Sequence, residues 1–304
     1  MRPGVFPVLL LLSCLTAAQS KTVAERLGYP RDSRLLLIHA DDLALAHSED
    51  AASFDALDRH AATSASIMVP CPWLTEVAAY AKAHPDADLG LHLTLTAEWK
   101  TDRWGPVESK DKVSSLLDPD GYFWADVPPA IQHIKTGEAE REVRAQIEKA
   151  IAMDIHPTHL DSHMGTLFAR PDLMAMYLKV AHEYKLPFLG MLTPNVPPDV
   201  KAMFSDKDVL LDSVIIASPS VQPANWKTFY IDAIKNLKPG LAEIIVHLAH
   251  DDAESQAVMV DHPDYGAAWR QRDYDTITGP EFKKALEDMH IILVRWSDLK
   301  KLNP

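Results

Sequence analysis

Eight short apolar runs of strand length, most of them followed by a stretch with helical spacing, constrain this chain more than any other feature. They cover residues 34–40, 66–69, 89–95, 158–161, 188–191, 214–217, 243–247 and 291–294. A continuous apolar run, as opposed to an alternating one, is the pattern of a strand covered on both faces. Between the runs, residues 48–60, 73–84, 138–153, 171–184, 225–237 and 280–289 repeat apolar side chains at three to four positions, as helices do. Such alternation predicts βαβ units and a mostly parallel sheet. Seven or eight strands favour one closed or nearly closed (β/α) barrel over an open doubly wound sheet, and 304 residues suit it, since barrels run to roughly 250 residues as single domains. The expected domain is 30–304. Within it, residues 98–129, rich in Trp, Asp, Gly and Pro and without a period, read as a long inserted loop of the kind that forms lids or binding surfaces.

The first twenty residues read differently. Met1-Arg2-Pro3 is followed by a Leu-rich apolar stretch and then by Thr16-Ala17-Ala18-Gln19-Ser20, the layout of a secretory signal and too short to span a bilayer. Leu11-Leu12-Ser13-Cys14 also has the form of a lipoprotein processing box, which makes Cys14 a lipid-anchor candidate. The expected location is therefore secreted or periplasmic, free or lipid-anchored, with no transmembrane helix. Once that leader is removed Cys71 is the single cysteine, so the domain has no internal disulfide and must be stabilised by its core. A homo-oligomer is left open.

Composition narrows the partners. With 43 acidic against 30 basic residues the net charge is −13, which argues against nucleic acid, because phosphate backbones are gripped by clustered Lys and Arg. Fourteen His and 43 carboxylates against two Cys mean that any metal is held by imidazole and carboxylate.

In a (β/α) barrel the chemistry sits at the C-terminal strand ends. Asp41 and Asp42 close the first run, His92 lies in the third, His159, Asp161 and His163 stand at i, i+2 and i+4 in and just after the fourth, and His247 ends the seventh. Residues two apart in a strand share a face, so the His-x-Asp-x-His group projects to one side. A carboxylate and two imidazoles from different strands make a three-ligand metal site with open positions for water. Taken singly, the Asp pair also suits a helix N-cap and His92 or His247 a core imidazole. The His-x-Asp-x-His group is harder to explain as packing, because unpaired buried charge is costly.

In series, Ala40-Asp41-Asp42-Leu43, Gly90-Leu91-His92-Leu93-Thr94-Leu95-Thr96, Pro157-Thr158-His159-Leu160-Asp161-Ser162-His163 and Glu243-Ile244-Ile245-Val246-His247 resemble the YdjC-like carbohydrate deacetylases, the family that includes chito-oligosaccharide deacetylase. The resemblance spans about 34–299. It implies a polysaccharide-deacetylase-like barrel that removes acetyl groups from N-acetylated sugars or oligosaccharides. It further implies one divalent ion, Mg2+ or Zn2+, held by Asp42, His92 and His163, with Asp41 as general base and His247 as general acid. His159 and Asp161 are expected to stand behind the ligands, with His159 in the shell that orients His163. The chain departs from the family pattern in Leu43-Ala44 after the Asp pair, Met164-Gly165 after His163 and Leu248-Ala249-His250 after His247.

The inserted loop carries Trp99, Trp104 and Trp124, whose faces can stack on sugar rings or else pin the loop to the barrel. Two rivals remain from the sequence: an esterase or amidase on the same ligands, and a secreted metal- or carbohydrate-binding protein without turnover. A glycosidase needs a pair of carboxylates roughly 5–10 Å apart across the sugar bond, and no feature points to one.

Overall fold

The computed structural model describes residues 21–191, 196–205 and 207–302. The leader at 1–20, and Cys14 with it, lies outside those residues. Among them no helix is long and apolar enough to cross a membrane.

The apolar runs become seven strands: β1 (Arg34–Leu43), β2 (Ser64–Ile67), β3 (Leu89–Leu93), β4 (Leu160–Ser162), β5 (Ser213–Ile216), β6 (Gly240–His247) and β7 (Ile292–Leu293). All pairings are parallel, in the order β4-β3-β2-β1-β6-β5, with β7 alongside the start of β1. Helices occupy the connections, as right-handed crossovers between parallel neighbours require. The run at 188–191 does not form a full strand. Phe188 makes one parallel bridge to Leu160, Leu189 N–H donates to Leu160 O, and Leu211 N–H donates to Gly190 O. This short segment links β4 toward β5 and brings the curled sheet close to a closed barrel. β1, buried along almost its whole length, is the central stave, and its apolar positions anchor two core clusters.

A local defect in β1 decides where the acids point. Adjacent strand residues normally face opposite sides. Between Ala40 and Leu43, however, the β1–β2 register shifts by a bulge, and Asp42 and Ala44 take φ of 72° and 79°. Bulges re-aim side chains beside active sites, and here Asp41 and Asp42 both reach the barrel mouth. Asp tolerates the left-handed region better than most residues. Ala44 is held there because its N–H donates to Asp50 Oδ1 at 2.7 Å.

Burial, reinforced by nearby Glu76, pushes Asp50 up to about 8 against the pull of that N–H. The folded state thus keeps a proton on Asp50 that the unfolded chain releases near pH 4. This contribution is full below about pH 4 and is lost as pH rises toward 8. Asp50→Asn should therefore gain stability relative to the parent at pH 8 and not at pH 4, read from urea midpoints at the two pH values.

Candidate functional site

A cavity of about 940 Å3 opens at the C-terminal ends of the strands and is lined on one side by Asp41, Asp42, His92, His163 and His247. Each comes from a strand end or the turn after it. His92 pairs in register with Asp161 across β3 and β4, and Asp41 with His247 across β1 and β6. Their proximity therefore follows from the sheet register.

At the floor, Asp42 Oδ1 lies 3.4 Å from His92 Nε2 and 3.2 Å from His163 Nδ1. The three side chains are almost fully buried, and their donor atoms fall within 4.8 Å of one another. Asp42 Oδ1 has no hydrogen bond, whereas Oδ2 accepts one from Arg270 Nη2 at 2.7 Å. One lone-pair-bearing oxygen is thus left facing two imidazole nitrogens. The opposite nitrogen of each imidazole meets a carboxylate: His92 Nδ1 lies 2.5 Å from Asp161 Oδ1, and His163 Nε2 lies 2.9 Å from Glu98 Oε2. A carboxylate behind an imidazole fixes ring orientation and tautomer in metal sites. This donor set can hold a divalent ion, with one oxygen and two nitrogens converging and positions open toward the cavity.

Electrostatics favour a cation in the same place. Burial would raise Asp42, but Arg270, His163 and His92 hold it well below the usual carboxylate range. Burial would lower His163, but Glu98 and Asp42 push it up to about 9, and Asp161 and Asp41 likewise raise His92. The carboxylates that favour a proton on each imidazole would equally favour a divalent ion in its place.

Asp41 belongs to a second tier. Its Oδ1 is 3.1 Å from His39 Nε2, while its Oδ2 faces the cavity, 3.7 Å from His92 Nε2 and 3.8 Å from His247 Nε2. His39 is completely buried, 2.7 Å from Ser64 Oγ and 3.0 Å from Asp161 Oδ2. Burial opposes its charge, yet Asp161 and Asp41 raise it to about 10, so it stands as a buried imidazolium tying the two carboxylates together. His247 is the reverse case. Burial outweighs the attraction of Asp42 and Asp41 and pushes it down to about 4, so it is neutral near pH 7, and its Nδ1 has no partner. The backbone N–H of His247 is fixed by Asp273 Oδ2 at 3.0 Å.

Two expectations need correcting. His159 does not orient His163, whose backing carboxylate is Glu98, while Asp161 does stand behind a ligand, His92. His159 lies one tier lower, stacked on Trp296 and 3.7 Å from Asp88, in space that only a glycine at 90 leaves open, since a Cβ there would fall 2.3 Å from its ring. Of the three tryptophans, Trp99 lines the cavity, but Trp104 and Trp124 do not. Trp104 is buried with its Nε1–H donated to Thr96 O, and Trp124 stacks on His133. These two pin the loop. Trp104→Ala should accordingly cost about 3–5 kcal/mol of stability while leaving KM for a sugar amide within about twofold, measured by denaturant unfolding and initial rates.

Sequence reasoning missed four participants: His39, Glu49, Glu98 and Arg270. Arg270 is fully buried on the helix Ala267–Ile277, where it bridges Asp42 and Glu49 and donates from Nε to Tyr265 O at 2.6 Å.

The sequence model of the YdjC-like proteins matches residues 35–288. The chain belongs to the YdjC-like family. A protein of Thermus thermophilus named carbohydrate deacetylase is 32% identical over 88% of this chain and 94% of its own, and another of that name from Thermoanaerobacter pseudethanolicus is 26% identical over 88% and 100%. Among solved structures, an Enterococcus faecalis V583 protein named for cellobiose-phosphate cleavage superposes with a TM-score of 0.73 at 23% identity, covering 88% of this chain and 99% of that one. It shares the fold of this YdjC-like chain.

Proposed function

We propose that this protein is a metal-dependent hydrolase that removes acetyl groups from N-acetylated sugars or oligosaccharides, releasing acetate. The observation that carries the reading is the convergence of Asp42 Oδ1, His92 Nε2 and His163 Nδ1 beside an Asp41 whose Oδ2 is open to the cavity. The name shared by the family relatives points to the same substrate class.

Asp42, His92 and His163 would hold one divalent ion, either Zn2+, which suits nitrogen donors, or Mg2+. Bound there, the ion supplies Lewis acidity toward the amide carbonyl and lowers the pKa of water. The chain's own groups do the proton work. Asp41, anchored through Oδ1 by His39, accepts the proton of the attacking water on Oδ2. His247 is neutral at rest and must gain a proton before it can act as an acid. Its Nε2, 3.8 Å from Asp41 Oδ2, is placed to receive that proton and pass it to the departing amine. An amide needs this step, because a free amide anion is a very poor leaving group. Glu98 and Asp161 keep the two imidazoles aimed.

The test is acetate release from a panel of N-acetylated chito-oligosaccharides and O-acetylated sugars, with and without chelator. Chelator-sensitive release from the N-acetyl members supports the reading. Release from O-acetyl sugars alone makes the protein an esterase on the same site, and no release from any member supports a binding protein without turnover. Glu98→Gln should weaken metal affinity about 10–100-fold with the fold intact, as measured by competition with a chromophoric chelator.

A further inference from the structure

The cavity has two unlike halves. The β1, β3 and β4 side, completed by His247, carries the buried acids and imidazoles. The opposite side, built from β5, the cavity-facing part of β6, the segment beside β4 and the end of the turn His163–Phe168, presents Phe168, Leu189, Met191, Val214, Ile216 and Ile245. None of these six is fully buried, and Ile216 is 39% exposed although it sits on a barrel strand. In a closed barrel such inward positions fill the core. Here Val214 and Ile216 alternate along β5 onto the cavity, and Ile245 lies on the same strand face as His247, one repeat deeper.

A sugar alone gains little from this wall. Its hydroxyls would lose water against aliphatic carbon that offers no hydrogen bond, at a cost comparable to an unmade bond. Of the aromatic faces that line the cavity, Trp99 lies against Arg270 and His262 and Tyr265 against His247 and Trp269, so both stand with the polar half, while Trp104 and Trp124 are spent on the loop. The volume of about 940 Å3 is near the upper end of the roughly 300–1,000 Å3 usual for small-molecule sites. What such a wall rewards is alkyl surface placed a short distance from the hydrolysed amide.

We propose that the substrate is an amphiphilic N-acyl amino sugar whose alkyl chain, on the amide or on the anomeric oxygen, packs against the Val214, Ile216, Ile245 and Leu189 wall. This deepens the deacetylase reading above, extending the released acid beyond acetate where the chain is on the amide, and rests on it.

Two substrate series used below their micelle concentrations decide it with the metal-loaded full chain: N-acyl glucosamines from acetyl to octanoyl, and alkyl N-acetylglucosaminides from methyl to octyl. One series should gain about threefold in kcat/KM per added methylene over at least four methylenes, and which series gains identifies where the chain is attached. Ile216→Asn, a change at an exposed position, should flatten that gain. Flat or falling values in both series, with N-acetyl hydrolysis intact, overturn the amphiphile and leave the deacetylase standing. If no member is hydrolysed the deacetylase reading fails, and calorimetry with octyl and methyl N-acetylglucosaminide then decides: at least tenfold tighter binding of the octyl compound supports the wall, and equal affinity overturns it.

Discussion

Asp41→Asn should fold normally, take up a divalent ion as the parent does, and lose about 10²–10⁴ in turnover, the range that a positioned general base contributes. The reason is the division of labour between neighbouring carboxylates. Asp42 directs Oδ1 at the two imidazoles and gives Oδ2 to Arg270, so the ion site does not depend on Asp41. Asp41 is held through Oδ1 by His39 and turns Oδ2 to the cavity. Asparagine preserves shape and can still meet His39, but it cannot take a proton from water. His92→Ala differs in kind, because it removes a donor nitrogen and should abolish ion binding and turnover together. Metal content and acetate release measured on both purified variants separate the two roles. A fully active Asp41→Asn protein would remove Asp41 as the base.

Arg270→Leu should destabilise the fold severely. The guanidinium is sealed in the interior, where it meets Asp42, Glu49 and the carbonyl of Tyr265. Removing one partner of a buried charge cluster strands the others, at a typical cost of about 3–5 kcal/mol. Burial, which outweighs the attraction of Arg270, already pushes Glu49 well above the usual range, so without the arginine Glu49 will be held neutral and Asp42 carries most of the penalty. Arg270→Lys should recover only part of the loss, because one ammonium cannot span three acceptors that a planar fork meets at once. A divalent ion beside Asp42 replaces the missing positive charge, so added metal should raise the unfolding midpoint of Arg270→Leu by more than it raises that of the parent. Equal shifts in both proteins would show that Arg270 and the ion site are uncoupled.

Much of this arrangement was legible in the sequence, for physical reasons. The apolar runs at 34–40, 89–95 and 243–247 could be read because a strand buried on both faces has no room for polar residues except at its end, which made Asp41, Asp42, His92 and His247 visible. The i, i+2, i+4 pattern likewise placed His159, Asp161 and His163 on one side. It did not give their depths: the three side chains descend through successive tiers, and only the upper two reach the cavity. Strand alternation alone would have separated Asp41 from Asp42, and the bulge that reunites them depends on pairing with β2, a contact no local pattern encodes. Glu98 lies in an aperiodic loop, and its contact with His163 spans 65 positions. Arg270 comes to Asp42 across 228 positions. Its only local trace is a charge set beside Trp269 on the buried side of a short helix. His39 did leave a signal, a lone imidazole inside an otherwise apolar run, that pattern reading treated as part of the strand.

The most direct test of a metal-dependent deacetylase is a metal titration of the stripped protein with acetate release as the readout. Chelator-treated enzyme should be inactive on N-acetylated chito-oligosaccharide, regain activity in proportion to added Zn2+ or Mg2+ and saturate at one ion per chain, whereas His92→Ala should neither bind the ion nor recover. Full activity in stripped protein, or saturation at one ion per chain in His92→Ala, would contradict it.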